Sequence, residues 1–101
     1  MITIERQIQT IFPGQWTALE DIDQKCTAVE NRCGFPPKKR YKCVIGGLST
    51  DMIVIERQWE SMAALEATYE KILADPEYKA LAVEIARIVE KSQLELYTPM
   101  P

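Results

Sequence analysis

The chain has 101 residues, 47% of them apolar and 27% charged, with a formal net charge of −3 and no histidine. That length makes one domain, spanning 1–101, of ordinary globular composition and not disordered. The lack of histidine excludes a histidine-activated nucleophile, a haem held by an axial histidine and a histidine-ligated zinc, and the acidic balance argues against a nucleic-acid partner.

Residues 2–12 alternate as a strand, with Ile2, Ile4 and Ile8 on one face and Thr3, Glu5, Gln7 and Gln9 on the other. Pro13-Gly14 ends it. A helical stripe follows through Trp16, Leu19, Ile22, Cys26, Val29 and Cys33, with Thr17 and Glu20 spaced as a capping box. Gly34 is placed to close this helix in the left-handed conformation, and Pro36-Pro37 prevent its continuation. Residues 38–46 form a second strand, and Gly46-Gly47 through Asp51 supply a turn. Residues 52–59 are the third and most apolar strand. A second helical region runs from an N-cap at Ser61 to about Lys91, interrupted where Asp75 caps a fresh helix with Pro76 at its first position. Residues 93–98 make a short last strand.

This order predicts an α+β fold, a ferredoxin-like β-α-β-β-α-β sandwich. Its sheet is four-stranded and antiparallel, with the helices on one face. The crossover rule puts the first and third strands in the middle. Ile4-Glu5-Arg6-Gln7 recurs as Ile55-Glu56-Arg57-Gln58, on the two strands that correspond in the two half-repeats.

The face bearing Ile2, Ile4, Ile8, Ile53, Ile55 and Trp59 is the expected partner of the helices. Arg6 and Arg57 are assigned to the same face, where they either snorkel at the rim or are displaced by a bulge. The other face carries Thr3, Glu5, Gln7, Gln9, Met52, Val54, Glu56 and Gln58. It is either a solvated sheet face or a polar cavity closed by a second copy of the sheet.

Two stretches carry a resemblance to a known family. One is the first strand ending in Pro13-Gly14 and running straight into a helix. The other is Val54-Ile55-Glu56-Arg57-Gln58-Trp59-Glu60-Ser61, followed by a helix bearing Tyr69 and then Leu73-Ala74-Asp75-Pro76-Glu77. With the element order, the chain resembles the dimeric α/β-barrel superfamily, and within it the NIPSNAP-like domains, over nearly its whole length. The resemblance implies a homodimer whose two sheets pack face to face into an α/β barrel, with a pocket in each subunit. It implies no invariant catalytic set. The superfamily includes cofactor-free monooxygenases and haem-degrading enzymes, and the histidine-dependent branches are excluded here.

The candidate pocket-lining residues are Glu5, Gln7, Glu56, Gln58, Arg6, Arg57, Trp59 and Tyr41. Glu5, Gln7, Glu56 and Gln58 are expected to cluster on neighbouring central strands. Two carboxylates close together in a closed cavity would raise the pKa of one and supply a general acid or base. The alternative is a polar lining, or carboxylates paired with Arg6 and Arg57. Trp59, Tyr41, Tyr69 and Tyr97 are placed to flank an aromatic ligand, although Trp16 and Trp59 also continue apolar patterns and read as core.

Cys26 and Cys33, seven apart on one helix, lie about 10.5 Å apart along its axis, beyond disulfide reach. The three cysteines read as small hydrophobes, and no metal-ligand spacing occurs. Lys38-Lys39-Arg40 with Lys42 either draws an anion to a pocket mouth or protects an edge strand from pairing. The charged N-terminus lacks signal-peptide anatomy and no apolar run is long enough to span a bilayer, so a cytoplasmic location without membrane contact is expected.

Together these features predict a homodimeric domain that binds or transforms a small organic molecule without metal or prosthetic group. Two alternatives stand beside it: a cofactor-independent monooxygenase acting on an aromatic substrate, and a non-catalytic interaction domain. RNA binding through an open sheet lacks the aromatic stacking residues and the positive charge it needs.

Overall fold

The computed structural model describes residues 1–46 and 50–101. Strand β1 (Thr3–Ile11) leads into helix α1 (Trp16–Cys33). The short strand β2 (Lys38–Lys42) and strand β3 (Met52–Trp59) follow. Helices α2 (Met62–Ala74) and α3 (Pro76–Ile85) precede strand β4 (Val89–Tyr97). The sheet order is β2-β3-β1-β4, every neighbouring pair antiparallel, with β1 and β3 central as expected. The result is the predicted ferredoxin-like α+β sandwich, its second helical region divided in two.

The helix ends follow local chemistry. Gly34 closes α1 at φ 93°, its N–H returning to the last turn. The Ser61 hydroxyl accepts from the Ala64 N–H at 3.0 Å and starts α2. Asp75 ends α2 and caps α3, its carboxylate accepting from the Tyr78 N–H at 3.0 Å, with Pro76 first in the new helix. The expected capping box at Thr17 and Glu20 does not form. Gln15 occupies the cap without a side-chain bond, because Trp16 already begins the helix. Trp16 instead donates through its indole N–H to Asp51 at 3.0 Å.

Helix α3 stops at Ile85, short of the periodic residues Ile88 and Val89. A turn at Ala86–Ile88 buries Ile88 in the core, and its carbonyl accepts from the Phe12 N–H at 2.9 Å. Strand β4 therefore begins four residues before the predicted 93–98. Strand β2 ends at Lys42, short of the expected residue 46. Of the predicted turn, residues 47–49 lie outside the described residues.

The expected buried face of β1 is also overturned. On β3 the helices cover Ile53, Ile55, Arg57 and Trp59, as predicted. On β1 they cover Thr3, Glu5, Gln9 and Ile11, and the Ile4, Arg6 and Ile8 face points away. The register decides this: Glu5 stands opposite Arg57, and Arg6 opposite Glu56. Arg6 and Arg57 thus lie on opposite faces of the sheet, and neither rim snorkelling nor a bulge between them is needed. The isoleucine stripe of β1 was a misleading guide because Glu5 finds hydrogen-bond partners in the core, which offsets its desolvation.

The core between sheet and helices contains Ile11, Leu19, Ile22, Val29, Ile53, Trp59, Leu65 and Ile72. Phe35, Trp59 and Tyr69 add an aromatic cluster with ring centroids 5.2–6.1 Å apart.

Candidate functional site

The structure distributes the eight predicted site residues over the two faces of the sheet. Glu5 and Gln7 lie under the helices, whereas Glu56 and Gln58 lie on the uncovered face. The predicted cluster of these four, and with it a repelling carboxylate pair, does not form.

Under the helices, Glu5 is 1% exposed. Its carboxylate accepts from the Trp59 indole N–H at 3.0 Å and from the Tyr69 hydroxyl. The Arg57 guanidinium lies 4.0 Å away. Burial, followed by the hydrogen bond to Glu5, pushes the Tyr69 phenol well above its ordinary pKa. Trp59 is therefore a core residue that also holds a buried carboxylate. Tyr69 serves Glu5 and packs on Phe35.

The charge then continues outward along α1. Arg57 reaches Glu30 at 2.7 Å and stacks over the Phe35 ring, 4.9 Å from its centroid. Lys38 lies between Asp23 at 2.8 Å and Glu30 at 3.0 Å. Arg40 pairs with Glu20 at 2.7 Å and Asp23 at 3.5 Å. Of the basic cluster, Lys38 and Arg40 are thus bound to α1, while Lys39 is exposed on the edge strand. Lys42 sits 4.4 Å over the Trp16 ring. The Nε atoms of Arg40 and Arg57 are buried without a hydrogen-bond partner.

Between the sheet and helices α1 and α3 lies a cavity of about 390 Å³. That is within the range of about 300–1,000 Å³ typical of small-molecule sites. Leu19, Ile22, Ile53, Ile55, Ile85 and Val89 give it an apolar lining. Gln7, Gln9, Tyr78 and Ser92 supply uncharged polar groups, Asp23, Glu30, Lys38, Arg40 and Arg57 the paired charges, and Glu90 an exposed carboxylate. Cys26 also reaches this cavity, and burial pushes its thiol up to about 11. Of the predicted site residues, Gln7 and Arg57 line the cavity.

The uncovered face carries a shallower depression of about 340 Å³ lined by Arg6, Ile8, Tyr41, Val54 and Glu56. Arg6 and Glu56 pair there at 3.0 Å, with side chains 42% and 29% exposed. Gln58 is exposed near the end of the same face, beside Ile4 and Lys39.

Gln9, Asp23, Glu30, Lys38, Tyr78 and Ser92 were not chosen as site residues from the sequence. One signal was present. Asp23 and Glu30 are seven residues apart, two helical turns, on the flank of the Ile22–Cys26–Val29 stripe. Carboxylates there require cations, and Lys38 and Arg40 follow soon after the helix ends.

Among the described residues, no group of three or more Cys, Asp or Glu side chains is arranged to hold a metal ion. No described helix is long and apolar enough to cross a membrane.

No family model matches the chain, and no curated protein matches it in sequence. Solved structures do match. An uncharacterised NIPSNAP-like domain protein from Burkholderia xenovorans superposes with a TM-score of 0.85 at 17% identity, covering 98% of this chain and 85% of the other. A NIPSNAP family protein from Agrobacterium tumefaciens gives 0.85 at 16% identity, covering 99% and 94%. A variant of SnoaB, a cofactor-independent oxygenase from Streptomyces nogalater, gives 0.70 at 16% identity, again covering 99% and 94%.

The class this defines is the ferredoxin-like α+β fold shared with antibiotic-biosynthesis-type oxygenases. Within it, the NIPSNAP proteins superpose with a TM-score of 0.85, in agreement with the resemblance seen in the sequence.

Proposed function

We propose that the protein binds a small organic molecule in the cavity between its sheet and helices, and that it works as a homodimer. The observation carrying the first part is the cavity of about 390 Å³ with an apolar lining and uncharged polar groups at its wall. The binding site needs no metal or prosthetic group in this reading. Three free cysteines, Cys26 among them buried, fit a reducing compartment such as the cytoplasm.

The homodimer is supported by the uncovered sheet face, where half-buried Ile4, Ile8 and Val54 adjoin exposed Tyr41 and Tyr97. A second copy packed on this face would bury them. Light scattering on a sizing column across a concentration series is expected to give twice the chain mass. A monomer throughout would remove the barrel and leave the cavity as a monomer's site.

The fold likeness to a cofactor-independent oxygenase supports a second reading, in which a bound phenol loses a proton and then reduces dioxygen. That chemistry needs a base. Glu30 is bridged by Lys38 and Arg57, and Asp23 by Lys38 and Arg40. The remaining lining carboxylate, Glu90, is exposed to solvent, and binding without this reaction fits such a wall better. A thermal-shift screen of small aromatic compounds is expected to find stabilising ligands, whose effect Ile55→Phe abolishes by filling the cavity. Oxygen uptake with 1-naphthol above the protein-free rate would favour the oxygenase. A monomer that no compound stabilises would leave an interaction domain.

A further inference from the structure

Gln9 sits in the middle of the sheet, beneath the helices, and is 9% exposed. It lines the cavity, and its side-chain amide makes no hydrogen bond to any other described residue. Its amide atoms are not among the sealed unpaired ones, so they are open to the cavity and to a ligand in it. Two residues along the same strand, Gln7 also lines the cavity, its amide meeting Ser92 Oγ at a long 3.5 Å. From α3, Tyr78 lines the same space, and its hydroxyl has no hydrogen-bond partner among the described residues. Burial pushes the Tyr78 phenol above its ordinary pKa, so it is a neutral donor at physiological pH.

Glu90 is exposed on β4; the other charged groups of the wall are already committed to ion pairs. Glu30 and Asp23 bridge Lys38, Arg57 and Arg40. The unpaired Nε atoms of Arg40 and Arg57 are sealed from solvent and so from a ligand. Away from exposed Glu90, a charged ligand would have to break an ion pair or enter without a counter-charge, and both are costly. Apart from exposed Glu90, the groups still available are neutral, and one of them presents a donor and an acceptor side by side.

We propose that the cavity takes an uncharged ligand with a flat apolar body and a carboxamide or lactam edge, read by the Gln9 amide with Tyr78 as a second donor. A carboxamide matches Gln9 in two parallel hydrogen bonds, N–H to carbonyl in each direction. Solvent can meet Gln9 in the empty site, so a ligand gains only if it replaces those bonds, which an apolar edge cannot do. The proposal rests on the cavity being a ligand site.

The test uses four naphthalenes of one shape at pH 7: 2-naphthamide, 2-methylnaphthalene, 2-naphthoate and 2-naphthylmethylammonium. Binding is followed by amide chemical-shift changes in the full chain. The carboxamide is expected to bind about tenfold tighter than each of the others, equivalent to about 1.4 kcal/mol. In Gln9→Leu, the carboxamide is expected to lose that tenfold advantage over 2-methylnaphthalene. Tyr78→Phe, which removes one oxygen from a half-buried ring, is expected to lose part of it and covers the case in which the first variant fails to fold.

A charged naphthalene binding as tightly as the carboxamide, or an advantage that survives both substitutions, would overturn the amide-edge proposal and leave the ligand cavity standing. Failure of all four to shift cavity residues would overturn the cavity reading and this proposal together.

Discussion

The two Ile-Glu-Arg-Gln segments pair with each other, antiparallel, so that each glutamate faces the other segment's arginine across the ladder. One pair falls under the helices and the other on the uncovered face, and their surroundings set opposite energetics. Glu5 is enclosed and fully engaged, so Glu5→Leu should destabilise by about 3 kcal/mol, at the low end for a broken buried pair because Glu30 still holds Arg57. Glu56→Leu breaks a half-exposed pair and should cost less than about 1 kcal/mol in the monomer. Urea midpoints of the two variants check the contrast, and equal losses would contradict the burial argument. Cys26 gives a pH signature. Its thiol ionises near 9 when unfolded and near 11 when folded. Above pH 9 the unfolded chain releases a proton that the folded chain keeps, so stability falls between those values. Tyr69 and Tyr78, also raised, extend the decline above pH 10. Thermal melts in Cys26→Ala should show the alkaline decline beginning about one pH unit later than in the parent.

At the scale of elements, boundaries set by local chemistry are the ones most legible in the sequence. Gly34, Ser61 and Asp75-Pro76 each act through a residue or two, whatever the rest of the fold does. Ser61→Ala should cost about 1 kcal/mol by removing the N-cap of α2. Gly34→Ala should cost a similar amount, about 1 kcal/mol, through its positive φ, since no atom lies within 4 Å of an added Cβ. Chemical denaturation reads both, and no effect at Gly34 would mean that the C-terminus of α1 relaxes. The start of β4 was less legible. Ile88 and Val89 continue a helical period, but Ile88 is drawn into the core as the chain turns, and its carbonyl meets the Phe12 N–H. A periodic pattern cannot distinguish a last helical turn from an apolar residue buried just beyond one.

For the whole molecule, the uncovered face is where a second copy would act. Val54 lies near its middle, opposite Ile8 on β1 and Tyr41 on β2. Val54→Glu would place a carboxylate in the proposed dimer contact beside Glu56. It should weaken dimerisation at least tenfold, about 1.4 kcal/mol, while circular dichroism stays unchanged. Light scattering of the variant checks this, and an unaltered dimer would locate the contact elsewhere.

The sequence by itself determined the element types, their order, the central position of β1 and β3 and the main helix caps, because these depend on periodicity, turn residues and handedness. It also carried a resemblance to NIPSNAP-like domains, with which the fold agrees. Tertiary structure decided which face of β1 the helices cover. Alternation defines two faces but cannot say which is buried when one is aliphatic with an arginine and the other polar with an enclosed partner set. That choice was made by Trp59, Tyr69 and Arg57, which lie more than fifty residues from Glu5 and meet its carboxylate only when the strands pair. The same inversion placed Gln7 and Gln9 at the cavity wall, leaving Glu56 and Gln58 on the far side of the sheet.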